Sequence, residues 1–426
     1  MVEILILLNM ITVIFVIYKY NFKEKCISVN HNLLFSIGYV IYCIFPIIFG
    51  WYHLFNTQEY YEKWFSIFDK ISTLNICIYL ISMYAFYITF IYFSNKHPFS
   101  QNYEINSSKT YSKYTFRIVF LVLAIVCCLF LIKYSDSFFS GYNEMTLNMS
   151  YKGQFTALTV LYFSVLMFYY VNRVHRENTF FYKLIIHPYS ILYYIIAICN
   201  LSMGGRLYLF SQILCLVVFY CYYYKNIKLS YILLGAITVI LIFAIIGLWR
   251  NETTFNVQNL ISGNLVAEPI FTSYSLIKTL ELGEFTIIRL PIVLLSYLIN
   301  LIPTAIFPTK LNYLLSAQDF GFTVYNPVGA FHIFTSLMVN FGIIGSILFA
   351  GLLGFMFNML NRKNNIICPT IYILLSGYIT FTFFRDGFET SLIKNMLEFS
   401  ILIPLIVYYF CSFSDCIIKK IEKRCK

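Results

Sequence analysis

Long apolar runs, separated by short polar stretches, fill most of the 426-residue chain. A bilayer core about 30 Å thick is crossed by about 20 apolar residues of helix, and the pattern predicts eleven such helices. Their expected bounds are 3–18, 30–52, 71–94, 116–134, 155–171, 184–202, 207–224, 229–249, 331–359, 366–384 and 395–414. The chain is therefore predicted to form one all-α domain, residues 1–426, of a polytopic integral membrane protein.

One further apolar segment, residues 286–306, is predicted not to cross the membrane. It contains Arg289, Pro291, Asn300 and Pro303, which disfavour a lipid-facing helix. If it does not cross, most lysines and arginines share one side with the C-terminus, as the positive-inside rule requires of the cytoplasmic side. A full crossing breaks this bias. The segment is therefore predicted to be re-entrant or interfacial on the outer side, with the N-terminus outside. A twelfth span, which would move the N-terminus inside, stays open.

The composition changes the interpretation of the positive charge. Hydrophobic residues make up 60% of the chain and charged residues 12%, and the mean hydropathy is +0.74, whereas soluble domains carry about 25% charge. The net charge of +11 is explained by basic cytoplasmic loops, so no nucleic-acid partner is expected. The twelve cysteines include no C-x-x-C pair, and the histidines show no metal-ligand spacing. We expect neither a metal nor a cofactor.

Four arginines lie on the predicted outer side, at membrane boundaries or inside an apolar segment: Arg206, Arg250, Arg289 and Arg385. A guanidinium offers a rigid fork of donors to phosphate oxygens, so the four predict an anion site. Arg206 follows Gly204 and Gly205 at the start of a span, where a helix N-terminus adds further donors. The alternative is that each arginine snorkels to the interface or pairs with an acid such as Glu252, Asp386 or Glu389.

The longest stretch outside the predicted spans is residues 250–330, and His332 follows it at the start of a predicted span. An imidazole can accept a proton from a hydroxyl near neutral pH, which makes His332 a candidate general base. The alternative is a structural histidine. The glycines between Gly342 and Gly354 favour close packing between helices.

These features together resemble a known family. The matching residues are Gly204-Gly205-Arg206 at the start of a span, the long outward loop, the segment from Ile302-Pro303 to Phe307-Pro308, and the run from His332 through Asn340-Phe341-Gly342-Ile343-Ile344-Gly345. The chain is similar to the bacterial O-antigen (oligosaccharide repeat-unit) polymerases. The related ligases place a His followed by Asn at the entry to this last span, and the pair here is His332-Ile333.

The resemblance implies a metal-independent glycosyltransferase of the bacterial cytoplasmic (inner) membrane. It would join undecaprenyl-pyrophosphate-linked repeat units, donor and acceptor, at the periplasmic face to build the O-antigen of lipopolysaccharide or a similar surface polysaccharide. In that case His332, Arg206 and Arg250 are the expected catalytic residues. Arg289, Arg385, Gly204 and Gly205 are expected to contact pyrophosphate or sugar. Membrane lipid is an expected partner, and a chain-length regulator is left open.

Two other functions remain open. A flippase or transporter of a lipid-linked sugar or small solute would need polar residues through the depth of the membrane. Here the charged candidates gather at one face, and the chain shows no internal repeat of the kind many transporters carry. The third reading is a membrane scaffold that uses the 250–330 loop as a partner surface.

Overall fold

The computed structural model of the protein describes most of the chain. It covers residues 1–23, 26–54, 61–96, 111–138, 149–177, 179–235, 237–238, 241, 267–302, 306–323, 331–362, 365–385 and 387–424. About half of the predicted span 229–249 therefore lies outside the described residues, and so does Arg250.

Helices dominate the described residues. In chain order they are α1 (Val2–Asn21), α2 (His31–Trp51), α3 (Glu62–Phe68), α4 (Thr73–Ser94), α5 (Lys113–Lys133), α6 (Met149–Glu177), α7 (Phe181–Ile185), α8 (Pro188–Ser202), α9 (Arg206–Tyr223), α10 (Ala267–Thr272), α11 (Tyr274–Leu282), α12 (Ile292–Leu301), α13 (Ile333–Asn340), α14 (Gly342–Arg362), α15 (Ile367–Arg385) and α16 (Phe388–Ile417). Within the described part, nine helices are long and apolar enough to cross a bilayer. The all-α polytopic prediction is confirmed.

Several predicted spans differ in length or continuity from the helices observed. The span predicted at 184–202 is a helix of 15 residues, Pro188–Ser202, about 22 Å long at 1.5 Å per residue. The span predicted at 331–359 is two helices, because the helical path breaks at Phe341. The described part of segment 286–306 contains one short apolar helix, Ile292–Leu301. Residues 303–305 are not among the described residues.

The packing is organised around α15, whose apolar 18-residue stretch is 94% buried inside the protein. It runs antiparallel to α9, since Phe210 contacts Phe381, with ring centroids 4.7 Å apart, and Tyr222 contacts Tyr372 at 5.6 Å. The predicted close packing of glycines is seen at Gly354, where an added Cβ would lie 2.5 Å from the Phe90 carbonyl oxygen of α4. Because α9 and α15 are antiparallel, the start of α9 and the end of α15 lie at the same end of the bundle.

The loops predicted to be cytoplasmic meet at the other end. Strands β1 (Phe22–Lys23), β2 (Cys26–Ile27) and β3 (Ile227–Lys228) form an antiparallel sheet there, in the order β1-β2-β3. We call this the sheet end. Tyr111 N donates to Asn172 Oδ1 (2.9 Å), and Ser112 N donates to Asp415 Oδ1 (3.3 Å). These bonds bring Tyr111 and Ser112, near the end of the predicted 95–115 loop, together with the end of α6 and the C-terminal helix.

The opposite end, called the site end, carries the elements predicted to face outward. Trp51 Nε1 reaches Glu3 Oε1 at 3.4 Å, which places the start of α1 there. Trp64 Nε1 of α3 donates to Ser273 Oγ (3.0 Å), and Asn75 Nδ2 donates to the Leu280 carbonyl (2.7 Å). The first and last helices thus begin and end on opposite sides, which is the arrangement of the eleven-span prediction.

Candidate functional site

A break between α13 and α14 holds the start of segment 286–306, predicted not to cross the membrane, against the bundle. Ile343 N donates to the Thr286 carbonyl (2.8 Å), Ile344 N to that of Ile287 (2.9 Å), and Arg289 N to that of Phe341 (2.9 Å). The first N–H groups of a helix have no partner within it, so the segment caps α14 with its own carbonyls.

Gly342 makes this close approach possible. Its φ is +68°, a left-handed conformation that residues with a Cβ adopt at a cost. An added Cβ would also lie 2.8 Å from the backbone of Ile287 and Ile288. The Asn340–Gly345 motif is therefore a seam that docks residues 286–289, and the role predicted for Gly342, packing between helices, is only part of its function.

Asn340 connects three elements at the same break. Its Oδ1 accepts from the backbone N–H of Leu294 in the first turn of α12 (2.8 Å), and its Nδ2 donates to the Ser336 carbonyl (2.9 Å) and to Glu389 Oε1 (2.6 Å). Glu389 is only 8% exposed. Burial raises the pKa of the Tyr297 phenol, and the negative charge of Glu389 adds to this rise.

The guanidinium of Arg289, at the end of the seam, is only partly hydrogen-bonded within the described chain. Its guanidinium carbon lies 5.1 Å from the ring centroids of both Phe320 and Phe322, and Nη2 donates to the Phe320 carbonyl (3.1 Å). Such contacts hold a guanidinium by cation–π attraction. Nη1 is buried and has no hydrogen-bond partner in the described chain. An unpaired buried donor is unfavourable, so Arg289 is suited to an acceptor that arrives with a ligand.

Large apolar side chains surround Arg289 on the surface. Ile287, Ile288 and Leu290 are 69%, 67% and 75% exposed, and Leu295 of α12 is 56% exposed. Exposed aliphatic side chains of this size are typical of a lipid-facing surface in a membrane protein. The guanidinium therefore lies where an apolar chain and an anionic group can both find contacts.

Arg385 is neutralised by an acid that is distant in sequence. It forms an ion pair with Glu268 of α10, and its backbone carbonyl accepts from Phe331 N (3.2 Å). Pairing with an acid was one of the two predicted alternatives, and among the described residues the partner is Glu268; Glu252 and Asp386 lie outside the described residues. Because the carboxylate cancels the charge, Arg385 attracts an anion less than Arg289 does.

His332 is fully buried, and both ring nitrogens are occupied. Nδ1 caps α13 by accepting from Phe334 N (3.1 Å), and Nε2 lies 2.8 Å from the Tyr42 carbonyl. A carbonyl only accepts, so we assign the proton to Nε2. The backbone N–H of His332 donates to Ser275 Oγ (2.9 Å). The histidine connects α2, α11 and α13, and it can accept a substrate proton only after Nδ1 releases the cap.

The Gly204-Gly205-Arg206 turn joins α8 to α9. Gly204 has φ +90°, and Gly205 packs on Asn200, whose Nδ2 would be 2.3 Å from an added Cβ. Arg206 is the first residue of α9 and is half-buried, with contacts of its own. The antiparallel pairing of α9 with α15 places it at the site end, together with Arg289, His332 and Arg385.

Three charged residues near the site were not selected from the sequence: Lys310, Lys394 and Glu398. Lys310 is 6% exposed, and its Nζ donates to the Ile302 carbonyl (2.7 Å) and lies 3.4 Å from that of Asn300. Lys394 and Glu398 lie in the first half of α16, where residues Ser391–Leu402 form a π-helix, a geometry frequent at functional sites. A lysine and a glutamate inside an apolar run were the signal that could have found them.

The fold and the candidate site define a class: a polytopic α-helical membrane protein with arginine and lysine side chains near one end of its bundle, beside a docked segment that is predicted not to cross the membrane. Residues 2–310 match the family described as O-antigen polysaccharide polymerase Wzy. The chain belongs to this family of membrane-embedded O-antigen repeat-unit polymerases, which act on lipid-linked oligosaccharide repeat units, and the predicted resemblance is confirmed. No curated protein and no solved structure matches the chain.

The matched residues divide the candidate site. They include the Gly204-Gly205-Arg206 turn, Arg250, Arg289 and Lys310, and they end before His332 and Arg385. The roles of the second group therefore depend on the geometry described above.

Proposed function

We propose that this protein polymerises undecaprenyl-pyrophosphate-linked repeat units at the periplasmic face of the bacterial cytoplasmic membrane, without a metal ion. An acceptor hydroxyl attacks the anomeric carbon of the growing glycan. The bond from that carbon to the donor diphosphate breaks, and the lipid diphosphate leaves with the bonding electrons. The acceptor proton passes to a base. The reaction therefore needs fixed positive charge at the leaving group and a base at the acceptor.

The observation that carries the proposal is the Arg289 guanidinium. It is held between two phenylalanine rings, it keeps Nη1 without a partner in the described chain, and it lies among exposed aliphatic side chains. A lipid diphosphate offers oxygen acceptors to the guanidinium and an apolar tail to that surface. Arg206 and Arg250 remain the proposed further cations, and Arg385, Gly204 and Gly205 the proposed contacts to sugar or diphosphate.

Two groups are candidates for the base. His332 would have to leave its cap at Phe334 before accepting a proton. Glu389 lies at the site end, where its carboxyl group accepts a hydrogen bond from Asn340, and we propose it as the second candidate. Replacement of His332 also removes contacts between α2 and α13, so loss of polymer in a His332 variant is interpreted together with its Tm.

The first test is a gel of surface polysaccharide from the source bacterium after removal of this chain. Collapse of the ladder to core carrying a single repeat unit is expected for a polymerase. Loss of all repeat units would indicate a flippase or an earlier step. An unchanged ladder would favour the alternative that the protein is a membrane scaffold.

The second test replaces single arginines. Arg289→Ala, Arg206→Ala and Arg250→Ala are each expected to abolish long chains at normal protein level. Arg173→Ala is the matched control, since Arg173 pairs with Glu177 (3.2 Å) at the end of α6 near the sheet end. Full-length ladders in all three site variants would overturn the proposed site.

A further inference from the structure

Asn340 makes three hydrogen bonds whose partners fix the orientation of its amide. The backbone N–H of Leu294 can only donate, so the atom that accepts from it at 2.8 Å is Oδ1. The Ser336 carbonyl can only accept, so the atom that lies 2.9 Å from it is Nδ2. The third bond runs from Nδ2 to Glu389 Oε1 at 2.6 Å. Asn340 is fully buried, and both hydrogens of its amide are used.

This geometry decides which oxygen of Glu389 can exchange a proton. Because Asn340 Nδ2 donates, Oε1 is an acceptor whether the carboxyl group is ionised or neutral, and a proton on the group lies on Oε2. Asn340 is the one side chain hydrogen-bonded to this carboxyl group among the described residues. Oε2 can therefore accept a proton without breaking a bond to another side chain, whereas His332 first has to release its cap at Phe334.

Neighbouring residues of the seam hold the carboxyl group and the free guanidinium. Asn340 bonds to Glu389. The carbonyl of the next residue, Phe341, accepts from Arg289 N at 2.9 Å. The packing agrees, since α13 contacts both the first half of α12 and the first turn of α16. Successive Cα atoms are about 3.8 Å apart, so the helix break anchors a cation and a carboxyl group side by side.

Two serine hydroxyls close to this pair lack a partner. Ser336 lies one turn before Asn340 on the same face of α13, and Ser391 follows Glu389 on α16. Both serines are buried, and neither Oγ has a hydrogen-bond partner among the described residues. An unpaired buried hydroxyl is unfavourable. A sugar brings hydroxyl groups that both donate and accept, so the surroundings of the carboxyl group suit a hydroxylated ligand.

We propose that Glu389 is the general base of the polymerase reaction, with Oε2 as the basic atom, and that Asn340 is the residue that positions it. This inference rests on the proposed polymerase function. The acceptor hydroxyl loses its proton to Oε2 while its oxygen bonds to the anomeric carbon. The bond from that carbon to the donor diphosphate breaks, and both electrons go to the diphosphate. The proton then leaves Oε2 for water, which restores the carboxylate.

The first test measures the kinetics of the full chain in micelles, with purified lipid-linked repeat units as donor and acceptor. Glu389→Gln keeps an acceptor for the Asn340 amide, so its Tm is expected to stay near that of wild type. Its kcat is expected to fall at least about 100-fold at an acceptor KM within about twofold of wild type. Glu281→Gln is the matched control, because that carboxylate pairs with Lys278 (2.7 Å) on α11. A kcat of Glu389→Gln within about threefold of wild type would overturn the proposal.

Glu389→Ala gives a second measure of the same base. Formate is a carboxylate small enough for the space that the removed side chain leaves. It is expected to raise the kcat of Glu389→Ala at least about tenfold and to leave that of Glu281→Gln unchanged. No rise with formate, in Glu389→Ala of normal Tm, would contradict the assignment.

Asn340 is tested by how far its effect depends on Glu389. At a temperature where the variant is folded, Asn340→Ala is expected to lower kcat about tenfold. A purely structural role would lower the kcat of Glu389→Gln by the same factor. A positioning role predicts little further loss in the double variant, because the base is already missing. Equal losses in both backgrounds would overturn the role of Asn340.

The proposed function and this inference fail in different ways. A wild-type protein that is inactive on purified units would refute the polymerase function. The assignment of the base alone would be refuted if wild type is active, Glu389→Gln keeps its kcat, and His332→Gln loses kcat at unchanged Tm.

Discussion

Gly342→Ala tests whether the seam between α13 and α14 holds residues 286–289 in place. A residue with a Cβ at φ +68° is strained by about 1–2 kcal/mol. The added Cβ would also lie 2.8 Å from the backbone of Ile287 and Ile288. Relief of that clash requires the segment to move away. Movement breaks the three backbone hydrogen bonds of the seam, worth about 1 kcal/mol each.

The strain alone makes local opening easier by about 1–2 kcal/mol, a factor of about 5–30 in the opening equilibrium. We therefore expect the amide hydrogens of Arg289, Ile343 and Ile344 to exchange with solvent at least 5–30 times faster in Gly342→Ala. Hydrogen exchange followed by mass spectrometry, on protein in micelles, measures this. Long polysaccharide chains are expected to shorten or disappear, because Arg289 moves with the segment.

Gly351→Ala is the matched control. Gly351 lies in the same helix, and an added Cβ there would meet Phe93 and Thr89 at an ordinary 3.4 Å. Exchange at the seam is expected to stay at the wild-type rate in this variant. Wild-type exchange in Gly342→Ala would refute the reasoning, since it would mean that the seam tolerates a Cβ without opening.

The remaining predictions concern single side chains at the site end. His332→Gln is expected to lower Tm by several degrees, through loss of the bonds to Tyr42 and Phe334; an unchanged Tm with loss of polymer would instead favour His332 as the base. Asn340→Ala, which leaves Glu389 buried without its donor, is expected to cost about 1–3 kcal/mol, and a thermal melt with no shift would contradict this. Arg385→Ala is expected to cost less than about 1 kcal/mol, because the Glu268 side chain is 42% exposed, and a large drop in Tm would show that the ion pair is more deeply desolvated than its exposure indicates.

Hydropathy and loop charge predicted the architecture because both report where a segment lies relative to the bilayer. The spans matching α2, α4 and α15 differ from the observed helices by a few residues at each end. The same reasoning placed Arg206, Arg289 and Arg385 on one side, and the helix pairing gathers them at one end of the bundle.

Hydropathy could not predict the features that depend on contacts between distant residues. The break at Phe341 was missed because, in an apolar sequence, a glycine that adopts positive φ cannot be distinguished from a glycine that allows close helix packing. The partner of Arg385 is Glu268, 117 positions away, and no local pattern connects the two. Lys394 was overlooked because the last span was predicted to begin at residue 395, one residue beyond it.

The seam at the helix break uses only main-chain atoms of residues 286, 287 and 289. The geometry of the seam therefore does not depend on most side chains of the docked segment. Substitutions at Ile287, Ile288 or Leu290 are therefore expected to leave the segment in place, provided that Gly342 is retained. The apolar surface around Arg289 can therefore change in shape while the backbone contact that positions the segment is kept.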